Sequence, residues 1–385
     1  MAVTVRSQIR NLKASLIAEV AMLGMGDPDV LPLWFGEGDL PTPRFITDAA
    51  ARALEAGETF YTYERGIPPL RQALAAYETG LHAKPVAAER IVITTAGMQG
   101  IMLTVQALVD PGDNVLVVSP VWPNIAAAIE IMGGEPRSVA LGRRDDGGFH
   151  LDLGALDRAL DGRTKAIFLN SPSNPTGWVM SRAEGLALLE FVRRHGLYLI
   201  ADEVYARVIY DGNAAPSMLD IVEPDDRVVV VNSFSKAWAM TGWRLGWIVA
   251  PPEIVEVMGK LIQYNVSGAP TFIQHAAVTA VREGESFARS MTGRYRAGRT
   301  LVLDALHGLN RVQVAPPEGA FYAFIKVDGI TDSVAFAKEI LARTKVGLAP
   351  GAAFGLGGEG HLRLCFAASA DRLVPALERL VSFLR

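Results

Sequence analysis

The middle of the chain alternates short apolar runs with longer amphipathic stretches. Apolar runs fall at 91–93, 115–118, 166–169, 197–201, 228–231 and 245–250. Helical spacing of apolar positions fills 99–108, 125–132 and 182–195. Continuous β-branched runs separated by helices predict a buried, mostly parallel sheet, because only a sheet covered on both faces can be apolar at every position. The predicted class is therefore α/β, with helices flanking the sheet.

After about residue 285 the pattern changes. A long helix over 287–306 precedes strands near 313–315 and 321–327, a helix over 333–343 and a strand over 361–366. This predicts a smaller α+β domain over 285–385 and a large domain over 46–284. Residues 1–45 read as an N-terminal arm packing with the small domain, its stretch 33–43 extended.

Each apolar run ends in a chemically loaded segment: TTAGMQ after Ile93, SPVWPN after Val118, NSPSNPTG after Leu169, DEVY after Ala201 and NSFSK after Val231. Polar, glycine and proline residues thus gather at the carboxyl ends of the predicted strands, the edge where open α/β sheets bind ligands. Ser233, Ser235 and Lys236 leave one strand, and Arg244 comes eight positions after the lysine. Desolvation there would push the lysine toward its neutral, nucleophilic form, and the hydroxyls with the guanidinium suit a phosphate. Asp202 at a buried strand end needs a cationic partner, such as a protonated pyridine nitrogen, unless it caps the next helix. Tyr205, three residues on, is placed to donate to a phenolate. Prolines stiffen the loop that presents Asn174. Gly97 and Met98 open a helix whose free amides favour a phosphate, or simply make a tight turn. Trp122 is a flat aromatic at the same edge, suited to ring stacking or to the core.

Composition narrows the function classes. The 385 residues are 50% hydrophobic and 20% charged, with a formal net charge of −4. That excludes a disordered chain and offers no basic excess for nucleic acid. No window approaches the ~18 apolar residues of a membrane span, and Arg6, Arg10, Lys13 and Glu19 interrupt the first twenty residues. The single cysteine, Cys365, makes no intrachain disulfide and reads as a small core residue in a cytoplasmic protein. No histidines pair at metal-ligand spacing, so no metal site is expected. The run 143–148 (RRDDGG) reads as a solvated loop, and Trp238, Trp243 and Trp247 as packing.

These motifs together resemble the fold-type I pyridoxal-phosphate enzymes, in the class I/II aminotransferase family near the aspartate aminotransferases. The resemblance runs through GEGDLPTP (36–43), YTYERGIPPLR (61–71), TTAGMQ, DPGD (110–113), NSPSNPTG, ADEVY, SFSK, TGWRLGW, PEGAFY, PGAAFG and HLRLCFA (361–367), nearly the whole chain. It implies that Lys236 carries the cofactor pyridoxal 5'-phosphate and later moves the substrate proton. It implies that Asp202 holds the ring nitrogen protonated, that Tyr205 and Asn174 bond the phenolate, and that Trp122 stacks on the ring. Gly97, Met98, Ser233, Ser235 and Arg244 would bind the phosphate, joined by Tyr61 of a neighbouring subunit in a homodimer with shared sites. Arg363 would clamp the substrate carboxylate, with Gly36 offering a backbone amide and Asn174 beside it. The implied reaction is transfer of an amino group from an L-amino acid to a 2-oxo acid. Other reactions on the same cofactor, β-elimination or oxidative deamination, and a catalytically silent ligand-binding protein are the alternatives. One departure stands out: where several bacterial aspartate-type relatives carry a lysine after paired glycines, this chain has Met98. That predicts a preference for neutral or apolar amino acids over aspartate.

Overall fold

A computed structural model describes residues 4–82 and 84–385. The first three residues of the N-terminal arm lie outside the described residues. Seven strands form the main sheet: β1 (Ile91–Thr94), β2 (Asn114–Ser119), β3 (Glu135–Ala140), β4 (Thr164–Asn170), β5 (Tyr198–Asp202), β6 (Val228–Ser233) and β7 (Gly246–Val249). Their spatial order is β1-β7-β6-β5-β4-β2-β3. All neighbours are parallel except β7, which runs antiparallel to both β1 and β6.

The apolar runs have a direct physical reading. Ile91 and Ile93, Ile167 and Leu169, and Val228 and Val230 pack into one core. Their alternate neighbours Val92, Phe168, Val229 and Val231 pack into a second core on the opposite face. Successive strand side chains point to opposite faces, so a strand covered twice must be apolar throughout. The helix Arg182–His195 begins in a capping box between Ser181 and Glu184 and ends at Gly196 in the left-handed conformation.

Four further strands make a second, antiparallel sheet: β8 (Val312–Val314), β9 (Tyr322–Val327), β10 (Ala349–Pro350) and β11 (His361–Cys365), in the order β8-β9-β11-β10. The helices Glu285–Leu306 and Ala370–Leu384 pack against each other beside it. Near the N-terminus, Leu31–Pro32 pairs in parallel with Val346–Gly347, which ties the two chain ends together. Among the described residues no helix is long and apolar enough to cross a membrane.

The run 143–148 is exposed from Arg143 to Gly147, as its composition predicts, and folds into a hairpin. Residues 142–143 and 149–150 form a small hairpin. Arg144 is ion-paired with Asp146 and Glu318, and the Arg143 guanidinium lies over the Phe149 ring, 4.1 Å from its centroid. Trp238 and Trp247 are fully buried, in tilted contact with Phe234, and Cys365 is buried.

Candidate active site

The carboxyl ends of β4, β5 and β6 are in register: Asn170 lies opposite Asp202, and Asp202 opposite Val231. This alignment delivers Asn170, Asp202 and Ser233 to one edge. A cavity of about 220 Å³ opens there. It is lined by twelve of the thirteen residues singled out in the sequence: Gly36, Gly97, Met98, Trp122, Asn174, Asp202, Tyr205, Ser233, Ser235, Lys236, Arg244 and Arg363. Tyr61 is not among them; it is 95% exposed on the surface.

Three charged groups define the electrostatics. Asp202 is 3% exposed, and the hydrogen bond its side chain accepts comes from the Val204 amide, 3.3 Å away. Burial pushes its carboxyl up to about 7, against the pull of that amide and of Lys236. Lys236 donates to the Gly36 carbonyl at 2.6 Å, and burial pushes its ammonium down to about 8. The positive charges of Arg363 and Arg244 push in the same direction. Arg363, 2% exposed, donates to Asn174 Oδ1 at 2.9 Å and to the Trp34 carbonyl, and its Nε is buried without a partner. Among the described residues none of the three forms an ion pair with a neighbour.

The floor is built from the backbone. Ala96 sits at φ 75°, a conformation a non-glycine residue adopts at a cost, and launches the helix Gly97–Leu108 with its N-terminus at the cavity. Gly246 runs so close beneath that an added Cβ would lie 2.7 Å from the Gly97 nitrogen. Ser233 and Ser235 hydroxyls meet at 2.9 Å. Arg244, also left-handed at φ 52°, donates to the Thr241 carbonyl and lines the same wall. Helix amides, two hydroxyls and a guanidinium form a cradle of the right chemistry for a phosphate. The buried carboxylate of Asp202 suits a protonated ring nitrogen, which would supply the cation it lacks. These residues fit pyridoxal phosphate.

Several further residues, not singled out individually in the sequence, complete the site. Tyr322 Oη meets Tyr205 Oη at 2.7 Å, and the Arg363 guanidinium stacks over the Tyr322 ring. Asn170 Oδ1 accepts from the Asn174 amide at 2.7 Å and so shapes the loop. Ile17 and Phe35 reach the cavity from the N-terminal region. Tyr322 and Asn170 stand inside PEGAFY and NSPSNPTG, which was the available signal; nothing in the spacing around Ile17 distinguishes it.

Residues 28–380 match the family described as aminotransferase class I and II. The chain is 36% identical to an aspartate aminotransferase of Thermotoga maritima over 364 residues, covering 94% of this chain and 93% of that protein. It is 33% identical to the aromatic-amino-acid aminotransferase 2 of Thermococcus litoralis, covering 98% of this chain and 97% of that one. The solved aspartate aminotransferase of Thermus thermophilus with maleate superposes with a TM-score of 0.91 at 32% identity, covering 99% of this chain and all of the other.

Proposed function

This chain belongs to the class I and II aminotransferases, and from that premise we propose how its residues divide the work and which substrates it prefers. It is a pyridoxal-phosphate-dependent enzyme that moves the amino group of an amino acid to a 2-oxo acid. The cofactor, when bound, supplies an electron sink for negative charge at the substrate α-carbon. Lys236 would hold the cofactor and, as a neutral amine, would take and return the proton at that α-carbon. Its lowered pKa, about 8, puts the neutral amine within reach near neutrality, about a tenth of it at pH 7 and more as pH rises. Asp202 keeps the ring nitrogen protonated, and Tyr205 with Asn174 donates to the ring oxygen. Trp122 covers the ring face. Gly97, Met98, Ser233, Ser235 and Arg244 hold the phosphate. Arg363 clamps the substrate α-carboxylate, with the Gly36 backbone beside it.

The observation that carries this reading is the trio of buried, unpaired charges in one cavity. A buried charge without a partner is costly. A cofactor with a cationic ring nitrogen and a substrate with a carboxylate complete Asp202 and Arg363 respectively. The test is borohydride reduction of the holoenzyme with subsequent peptide mapping. Label on Lys236 is expected, and label on another lysine overturns the assignment. In a single half-reaction, amino acid alone should change the cofactor absorbance stably, and 2-oxo acid should reverse it. Release of ammonia instead would point to elimination or oxidation.

Substrate preference is set by the apolar part of the cavity lining, made by Met98, Ile101, Ile17 and Phe35. The cations lining the cavity among the described residues are Lys236, Arg244 and Arg363, each with a task above. Arg294 is held by Asp39 at 2.5 Å, and Lys260 is paired with Glu256. A distal carboxylate would therefore meet no free counter-ion from its own subunit. The relatives' names span aspartate and aromatic amino acids at similar identity, so the apolar lining decides for neutral and apolar side chains.

The working assembly is a cytoplasmic homodimer with shared sites. Phe60, Tyr61, Tyr63 and Tyr264 are all strongly exposed, and clustered aromatics of this kind mark an interface. The segment that carries Tyr264 lies beside the phosphate cradle: Gln99, in the helix that opens at Gly97, donates to Asn265 at 2.8 Å. Tyr61 reaches the phosphate of the neighbouring subunit.

A further inference from the structure

A second and larger cavity, of about 740 Å³, lies away from the catalytic one, between the hairpin at Arg143 and Phe149 and the strands β8 and β9. Its inner wall is apolar, made by Phe149, Phe324, Leu306 and Val314. Two cations, Arg143 and Lys326, line the same cavity. Arg144 next door is satisfied by Asp146 and Glu318, but among the described residues no carboxylate pairs with Arg143. Arg143 instead donates to His361 Nε2 at 2.8 Å. His361 Nδ1 faces the Glu359 carbonyl at 3.0 Å, so the imidazole is neutral with Nε2 as acceptor. Burial, with Arg143 and Lys326 close by, keeps its pKa below the ordinary value. His361 is stacked flat on Phe324 at 4.5 Å, which fixes the ring. Lys326 has only a loose pairing with Asp328 at 3.9 Å. Asp145 and Asp146 line the outer rim, the latter held by Arg144 and the Gly148 amide.

An oriented, uncompensated guanidinium against an aromatic floor, with a second cation beside it, is what an amphiphilic anion needs. We propose that this cavity is a second small-molecule site, for an organic anion whose acidic group meets Arg143 and Lys326 and whose apolar body lies on Phe149 and Val314. It touches the machinery that holds the substrate: Thr176, two residues from Asn174, lines it, and His361 stands two residues before Arg363 on the same face of β11.

The test is a fluorescence titration of the holoenzyme with 8-anilinonaphthalene-1-sulfonate, an aryl anion. Saturable binding at one site per chain is expected, and R143E should weaken it by about tenfold or more, the scale of one charge-assisted hydrogen bond. The exposed Lys326→Glu change should weaken it too, and it carries the test alone if R143E does not fold. Turnover of both variants should match the parent. Arg363→Ala should leave probe binding unchanged. The uncharged N-phenyl-1-naphthylamine should bind at least about tenfold more weakly than the anion. Absence of saturable binding, equal affinity for the neutral probe, indifference to both charge reversals, or loss on Arg363→Ala would each overturn the proposal.

Discussion

Arg363 on β11 donates to Asn174 Oδ1, on the loop after β4, across 2.9 Å. One hydrogen bond thus joins the two sheets at the point proposed to hold the substrate carboxylate. Arg363→Ala should lower kcat/KM by about 100-fold or more, the scale of truncating a buried charge partner, with KM carrying much of the change. Asn174→Ala keeps the cation and loses the bond, so its effect should be smaller and shared between KM and kcat. Steady-state kinetics on both variants with one amino acid checks the order. A larger loss in Asn174→Ala would reverse the assignment.

Asp202 sets a conflict between stability and use. Its native pKa of about 7 lies above the ordinary 3.8, so the folded chain holds a proton that the unfolded chain has released. The native state is therefore penalised progressively as pH rises from about 4 to 7, and fully above it. Without cofactor, Asp202→Asn should melt higher than the parent at pH 8, by on the order of 1–3 kcal/mol. The gain should shrink as pH falls through about 7. With cofactor the order should invert, and proton abstraction in the variant should slow by orders of magnitude. Melting curves of both forms at pH 6 and 8 decide it; a flat difference across that window would contradict the burial of an uncompensated charge.

Met98 is the residue most exposed to a substrate test. The parent should favour leucine, phenylalanine or alanine over aspartate and glutamate. Met98→Lys should shift the ratio of efficiencies toward dicarboxylates by roughly 1–3 kcal/mol, the range of a hydrogen bond to a charged group. Side-by-side kcat/KM values for the five amino acids are the measurement. If aspartate leads in the parent, a cation from beyond the cavity walls supplies the distal contact.

The proposed sharing of sites predicts rescue. A Tyr61→Ala chain and a Lys236→Ala chain should each turn over poorly. Mixed dimers contain one site with both native residues and should regain part of the parent activity. Sedimentation should give a dimer, and an active monomer would rule the arrangement out.

The buried strands are legible in the sequence because both faces are covered, so apolar runs such as 228–231 can be nothing else. β3 is not, because EPRSVA is an edge strand with one fully buried position, Val139. Nor does the run at 245–250 reveal that β7 runs against its neighbours, since strand direction leaves no mark on a fully buried pattern. The cofactor cradle is readable because its residues cluster after strand ends. Arg363 is not readable by such a rule: an arginine in an apolar strand gains meaning only from Asn174 and Trp34, both far away in sequence. The pattern of TTAGMQ points to its glycine as the special backbone position, yet the strained residue is Ala96. Arg143 reads correctly as exposed, but its contacts are not legible, because His361 and Phe149 lie on a separate strand and across a hairpin turn.

The parallel pairing of Leu31–Pro32 with Val346–Gly347 bears on how the protein is made. The strands of the seven-stranded sheet are complete once Val249 has left the ribosome, but the strand pairing of the segment that leads into Trp34 and Gly36 forms only once Val346 is made. Contacts between residues so distant close late, because loop entropy opposes them until the local structure is in place. A nascent chain stalled just short of Val346 would therefore present Lys236 and Asp202 on a finished sheet while still lacking Arg363. Such a chain would carry its own part of the phosphate cradle before it carried the arginine proposed to grip a substrate carboxylate.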